Sequence, residues 1–189
     1  MLEIGLMGIL EILAVVLGLA YVLLAIRRHI GCWVASYVAS GLFVVVFLDA
    51  GLIFQPWLQV FYMVMAVYGY LKWRSGAKNP ARLGYWGWRN NLIAVAALVA
   101  VSIVVTIAVR PYSDSPLLFI DVVTAMGAPI ATYMQARKYI GNWIWWIALD
   151  TIYVALYVES GLYFTAALYF LYLLLAWAGY RAWRKAHAA

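Results

Sequence analysis

Seven apolar runs of about 20 residues follow one another along this chain, and no other feature restricts its fold as strongly. They cover roughly 4–26, 30–48, 54–73, 91–109, 117–136, 140–158 and 162–183. A helix rises 1.5 Å per residue, so each run matches a hydrocarbon core of about 30 Å. With 68% hydrophobic and only 11% charged residues, the chain cannot clothe a soluble domain of its length. Little sequence remains between the runs. The expectation is an all-α integral membrane bundle of seven transmembrane helices in a lipid bilayer, with no soluble domain attached. The first run has no basic start and leads at once into further spans, so it reads as a retained helix rather than a cleaved signal.

The net charge of +6 is distributed as a membrane protein distributes it, not as a nucleic-acid binder does. Alternating through seven spans places Arg27, Arg28, Lys72, Arg74, Lys78, Arg82, Arg89, Arg137, Lys138, Arg181, Arg184 and Lys185 on one face. Only Arg110 falls on the other, together with the loop acids Glu3, Asp49, Asp114 and Glu159. The positive-inside rule makes the basic face cytoplasmic, with the N-terminus outside and the C-terminus inside. Cys32 has no second cysteine, and His29 and His187 stand near span ends. No metal site and no cofactor is expected.

An internal repeat appears at a spacing of 110 residues. Residues 30–75 laid over 140–185 without gaps give fourteen identities in 46 positions. They include Gly31/Gly141, Trp33/Trp143, Gly51/Gly161, Leu52/Leu162, Phe54/Phe164, Tyr62/Tyr172, Gly69/Gly179, Trp73/Trp183 and Arg74/Arg184. The register extends back, with Glu11 falling on Asp121 and Arg27-Arg28 on Arg137-Lys138. Three helices form one copy, so a direct fusion would invert the second; an intervening fourth helix restores its orientation. The expected organisation is a first three-helix repeat over 1–75, a basic loop and linker helix over 76–110, and a second repeat over 111–189. Parallel repeats of this kind are a transporter architecture, with the substrate near the membrane midplane.

Three acids fall inside spans. Asp150 is near the centre of the sixth; Glu11 and Asp121 lie in the outer parts of the first and fifth. A charge at a helix centre costs about 2.5–3.5 kcal/mol on insertion scales, so Asp150 should face protein, water or ligand rather than lipid. Asn142, Trp146, Asp150, Tyr153 and Tyr157 recur at steps of three or four and share one helical face. An amide, an indole, a carboxylate and phenols together suit a flat polar or cationic ring. The bland alternative, an aromatic interface belt, covers Trp143 and Trp145 near the cytoplasmic end but not Asp150. Gln59 and Tyr62 add polar groups from the third span, with Tyr169 and Tyr172 at matching positions of the seventh. Glu11 and Asp121 read as vestibule or structural groups. Pro129, inside the fifth run, removes a backbone donor and is a candidate hinge.

Gly141-Asn142-Trp143-x-x-Trp146-x-x-x-Asp150, with Tyr157, Gly161-Leu162-Tyr163 and Gly179-Tyr180-x-x-Trp183, resembles the nicotinamide riboside transporter (PnuC) family of bacterial vitamin transporters. Leu58-Gln59-x-x-Tyr62 and Tyr68-Gly69-Tyr70-x-x-Trp73 are similar to that family's third core helix. The resemblance covers nearly the whole chain. It implies a three-plus-one-plus-three fold like a full-length SWEET sugar transporter, in the bacterial inner membrane. It further implies facilitated diffusion of a vitamin or nucleoside, trapped afterwards by a cytoplasmic kinase, and it suggests a trimer. The implied ligand contacts are Gln59, Tyr62, Asn142, Trp146, Asp150 and Tyr153. Relatives of the same fold carry thiamine or riboflavin, so the fold leaves the substrate open. The pyridinium of nicotinamide riboside and the thiazolium of thiamine both suit a carboxylate among aromatic rings. Nicotinamide riboside ranks first, thiamine second, and neutral riboflavin below them.

Other classes lack their chemistry. An intramembrane enzyme needs a nucleophile–base pair or metal ligands in its spans, and the chain has no HExxH motif and no mid-span histidine. A retinal photoreceptor needs a mid-span lysine, and every lysine here lies at a span end or in a loop.

Overall fold

The structure is a computed structural model that describes residues 5–49, 54–75, 83–113, 115–159 and 161–188, without the side chains of residues 54, 55 and 164. Glu3, Gly51, Leu52, Lys78, Arg82 and Asp114 lie outside the described residues. Among those described, seven α-helices and no strand occur: α1 Leu6–Ile26, α2 Gly31–Asp49, α3 Phe54–Ser75, α4 Trp88–Val109, α5 Leu118–Ala136, α6 Asn142–Glu159 and α7 Tyr163–Ala188. Each apolar run becomes one helix, with boundaries close to those expected. By length and composition α1, α2 and the stretch Trp88–Tyr112 can each cross a membrane. The other four have 18 to 26 residues; α3, α6 and α7 are rich in tyrosine and tryptophan, while α5 contains Pro129 and has two threonines among its buried residues.

The chain divides into two compact units, Met1–Ala81 and Arg82–Ala189. In the first, α2 packs against both α1 and α3. Its tightest point is a glycine. A Cβ on Gly69 would lie inside the indole of Trp33, so only glycine lets α3 approach α2 this closely. Trp33 is 1% exposed and meets Trp73 edge-on, with centroids 5.5 Å apart at 89°.

The second unit repeats this local geometry. There α6 packs against α5 and α7. A Cβ on Gly179 would lie 2.6 Å from the Trp143 ring, and Trp143 meets Trp183 at 5.5 Å and 87°. Trp143 is 2% exposed. This corrects the interface-belt reading of that residue: its ring is a core plate pressed against glycine, not an anchor at the membrane surface.

The turn entering the middle helix also recurs. Arg28 and Lys138 adopt left-handed φ of 58° and 57°, a conformation costing roughly 1–2 kcal/mol for an L-residue. Each closes a Schellman motif. Arg28 and His29 donate backbone N–H to the carbonyls of Ala25 and Leu24, both at 2.9 Å. Lys138 and Tyr139 do the same to Gln135 and Met134, also at 2.9 Å. The orphan carbonyls at the ends of α1 and α5 are thereby satisfied without glycine.

The second unit also contains α4, whose buried residues Ala94, Leu98 and Ser102 recur every fourth position and face α5. The segment before α4 is pinned to the α5–α6 turn. Gly84 exchanges backbone hydrogen bonds with Lys138 (3.2 Å) and Ile140 (2.8 Å), and Trp86 stacks on Tyr139 at 6.1 Å and 14°. Trp145, the other residue assigned to a belt, donates its indole N–H to Asn91 Oδ1 at 3.1 Å and ties α6 to α4.

Candidate functional site

In the second unit α5, α6 and α7 together build a carboxylate set among tyrosines. Asp150 is the ninth residue of α6 and is 4% exposed, so it is buried inside the protein rather than turned to lipid. The neighbouring Leu149 fits against α5 because position 127 is glycine, where a Cβ would stand 2.7 Å from the leucine Cδ2. That close approach brings α5 up to the face of α6 that carries Asp150. Among the described residues no basic side chain pairs with the Asp150 carboxylate.

Three tyrosines stack beside it. Tyr153 and Tyr157, one turn apart on α6, lie 5.9 Å apart at 13°. Tyr169 of α7 covers both, at 4.5 Å from Tyr153 and 5.1 Å from Tyr157. Tyr172 meets Tyr169 edge-on at 5.9 Å. The Asp150 carboxylate interacts electrostatically with the hydroxyls of Tyr153, Tyr169 and Tyr172. Asp121, exposed in the first turn of α5, does so with Tyr153 and Tyr157. The hydroxyl of Thr124 approaches that of Tyr153, while it also donates to the Asp121 carbonyl at 2.9 Å. The arrangement presents π-faces, phenol hydroxyls and two carboxylates, a combination that holds a flat ring with polar edges.

The residues expected from the sequence separate into three groups. Asp150 and Tyr153 fall in this cluster, and Asp121 borders it. Asn142 and Trp146 belong to the same helix, but eight residues put Asn142 about 12 Å along the axis from Asp150 at 1.5 Å per residue. Asn142 is fully buried; its Nδ2 donates to the Tyr139 carbonyl at 2.7 Å, and its Oδ1 has no hydrogen-bond partner among the described residues. Trp146 is half-buried. Gln59 and Tyr62 lie on α3 in the other unit, both half-buried, with Tyr62 edge-on to Phe61 at 5.7 Å. Glu11 is exposed on α1. Pro129 lies within a continuous α5. Thr124 escaped the sequence reading; its spacing of three from Asp121 was the available signal. Among the described residues no group of three potential metal ligands exists.

A family model described as nicotinamide mononucleotide transporter matches residues 8–185. The chain belongs to that family. The family is one of transporters, and the apolar helices agree with a membrane protein. Among curated members and relatives, the riboflavin/roseoflavin transporter RibM of Streptomyces davaonensis is 29% identical over 175 residues, covering 89% of this chain and 81% of that protein. The nicotinamide riboside transporter PnuC of Escherichia coli is 24% identical, covering 92% of this chain and 84% of that one. Among solved structures, the vitamin B3 transporter PnuC superposes with a TM-score of 0.71 at 20% identity, over 95% of this chain and 82% of that one. The fold is therefore PnuC-like, and the family carries vitamins.

Proposed function

We propose that this transporter imports nicotinamide riboside by facilitated diffusion, with a cytoplasmic kinase trapping the product. The carrying observation is Asp150, a buried acid with no basic partner among the described residues, set against stacked tyrosines. A pyridinium ring would supply the missing positive charge while its faces lie on phenol rings. Thiamine, through its thiazolium, fits by the same argument and stands next. From the sequence we also propose Gln59, Tyr62, Asn142 and Trp146 as ligand contacts, Glu11 and Asp121 as vestibule groups, and Pro129 as a hinge. The test is calorimetry on purified protein with each vitamin. Binding of nicotinamide riboside that falls in Asp150→Asn supports the reading; tight thiamine binding with nicotinamide riboside silent reverses the order.

Riboflavin is the second reading, favoured by the 29% identity to the riboflavin/roseoflavin transporter. Its neutral three-ring system would use the tyrosine faces and leave Asp150 without a countercharge. Riboflavin binding that is insensitive to Asp150→Asn would select it.

We further propose two parallel three-helix repeats over 1–75 and 111–189, joined by the loop and linker helix of 76–110. The recurring Schellman turns and tryptophan–glycine plates support this. The basic end is proposed as cytoplasmic, with the N-terminus outside the bacterial inner membrane and a trimeric assembly. Protease protection of a C-terminal tag in oriented vesicles, and the mass of the purified particle, test these points.

A further inference from the structure

We propose that a groove between α2 and α3 binds an anionic phospholipid, which lays an acyl chain in the groove and its phosphate against the basic end of α3. The groove belongs to the first unit and is formed by Trp33, Val34 and Tyr37 of α2 with Ala66, Val67 and Tyr70 of α3. It holds about 250 Å³, and its walls expose only apolar atoms. Val34, Tyr37 and Val67 are 53%, 44% and 48% exposed, so the groove is open along its length rather than sealed in the core. An open apolar trough on a membrane-spanning surface is filled by hydrocarbon.

Charge at one end selects which lipid. Arg74 is four residues beyond Tyr70 and seven beyond Val67, so it continues the same face of α3 past the groove. It is exposed, as is Lys72, whose ammonium rests 5.8 Å from the Tyr68 ring. The turn before α2 adds exposed Arg27, Arg28 and His29. Trp33 near the start of α2 meets Gly69 and Trp73 near the end of α3, so the start of α2 and the end of α3 share this end. Clustered lysine and arginine beside a span attract anionic headgroups.

The second unit carries a bulkier side chain at one of these positions. Its residues corresponding to Val67 and Tyr70 are Trp177 and Tyr180, whose rings lie 6.0 Å apart at 34°. Trp177 is 53% exposed, so the second unit presents an indole at its surface where the first presents the smaller Val67. The two helix pairs thus differ in side-chain bulk at this position, and an indole at residue 67 would narrow the groove.

Native mass spectrometry of the purified full chain, titrated with phosphatidylglycerol and phosphatidylcholine of equal acyl length, tests the proposal. Wild type should retain phosphatidylglycerol in preference. Val67→Trp places in α3 the residue α7 already carries there; it should cut retention about tenfold through lost apolar burial. Arg74→Gln, an exposed change with no packing consequence, should cut it about fivefold by removing one headgroup charge and should narrow the preference over phosphatidylcholine. Undiminished retention in Val67→Trp overturns the proposal. So does an unchanged headgroup preference in Arg74→Gln, equal retention of the two lipids by wild type, or a changed subunit count in Val67→Trp, which would make the face a contact between copies of this chain.

Discussion

The cores of the two units match in frame and differ in chemistry. Each has a tryptophan pressed on a glycine and edge-on to a second tryptophan: Trp33, Gly69 and Trp73 in one, Trp143, Gly179 and Trp183 in the other. Each has an aromatic pair stacked one turn apart on the middle helix, Phe43 and Phe47 at 5.3 Å and 17° against Tyr153 and Tyr157 at 5.9 Å and 13°. The polar groups do not match. Buried Ser40 stands where the second unit has Asp150, buried Ala14 where it has Thr124, buried Cys32 where it has Asn142, and Gln59 where it has Tyr169. The shape of a tryptophan–glycine plate is needed for packing in both copies and is retained. Carboxylate, hydroxyl and phenol groups, the ones proposed to meet a ligand, are concentrated in the second unit. Two units with similar local packing therefore differ in their polar groups.

The largest effects should come from the shared frame and be nearly equal in the two units. Trp33→Ala and Trp143→Ala each remove a buried indole and leave a void against glycine, at about 3–5 kcal/mol each. Thermal unfolding in detergent should show two similar losses. A severe loss for one and a mild loss for the other would break the structural equivalence.

Next in size is a change that should act on one unit only. Asp150→Asn keeps the shape and removes the charge. A hydrogen bond or contact to a charged group contributes about 1.5–3 kcal/mol, so affinity for nicotinamide riboside should fall about 10- to 100-fold with folding intact. Ser40→Ala, at the matching position, should leave affinity unchanged. Equal effects of the two on calorimetric binding would place the ligand symmetrically and remove the distinction argued above.

The sequence made the frame legible because each helix was one uninterrupted apolar run and because glycine and tryptophan recurred in step. Helix ends followed from the basic and glycine-containing breaks. The cluster formed by α5, α6 and α7 was legible in part. Asp150 and Tyr153 announced themselves by helical spacing around a mid-span acid. Tyr169 and Tyr172 were visible as a matching pair, but nothing local to α7 says that its face meets α6. The burial of Trp143 was misjudged, because aromatic content near a span end does not reveal which way a ring points; the informative signal was Gly179, whose missing side chain makes room for it. Asn142 reads as a ligand contact by its spacing, yet its Nδ2 is occupied by the Tyr139 carbonyl in the turn before α6. That use depends on a backbone conformation the spacing does not encode.

Glycine substitutions sharpen the comparison at a smaller scale. A Cβ at residue 179 would stand 2.6 Å from the Trp143 ring, and one at residue 69 would meet Trp33 even more closely. Gly69→Ala and Gly179→Ala should each force helix separation at about 1–3 kcal/mol. Both should lower the unfolding temperature. Only Gly179→Ala should also weaken vitamin binding, because α7 carries Tyr169 and Tyr172. Weakened binding in neither would mean that the tyrosines of α7 are not held by the plate.

The finest distinction between the units is a single oxygen. Tyr153 and Phe43 stack alike, and only the hydroxyl approaches Thr124 and interacts with Asp121 and Asp150. Tyr153→Phe makes the second unit like the first at this point. A typical hydrogen bond contributes about 0.5–1.5 kcal/mol, so affinity should drop roughly 2- to 12-fold while the unfolding temperature hardly moves. The reverse change, Phe43→Tyr, should leave affinity where it was. If Tyr153→Phe instead lowered stability and spared binding, the hydroxyl would serve the packing of α5 against α6, and the ligand would be held by Asp150 and the ring faces alone.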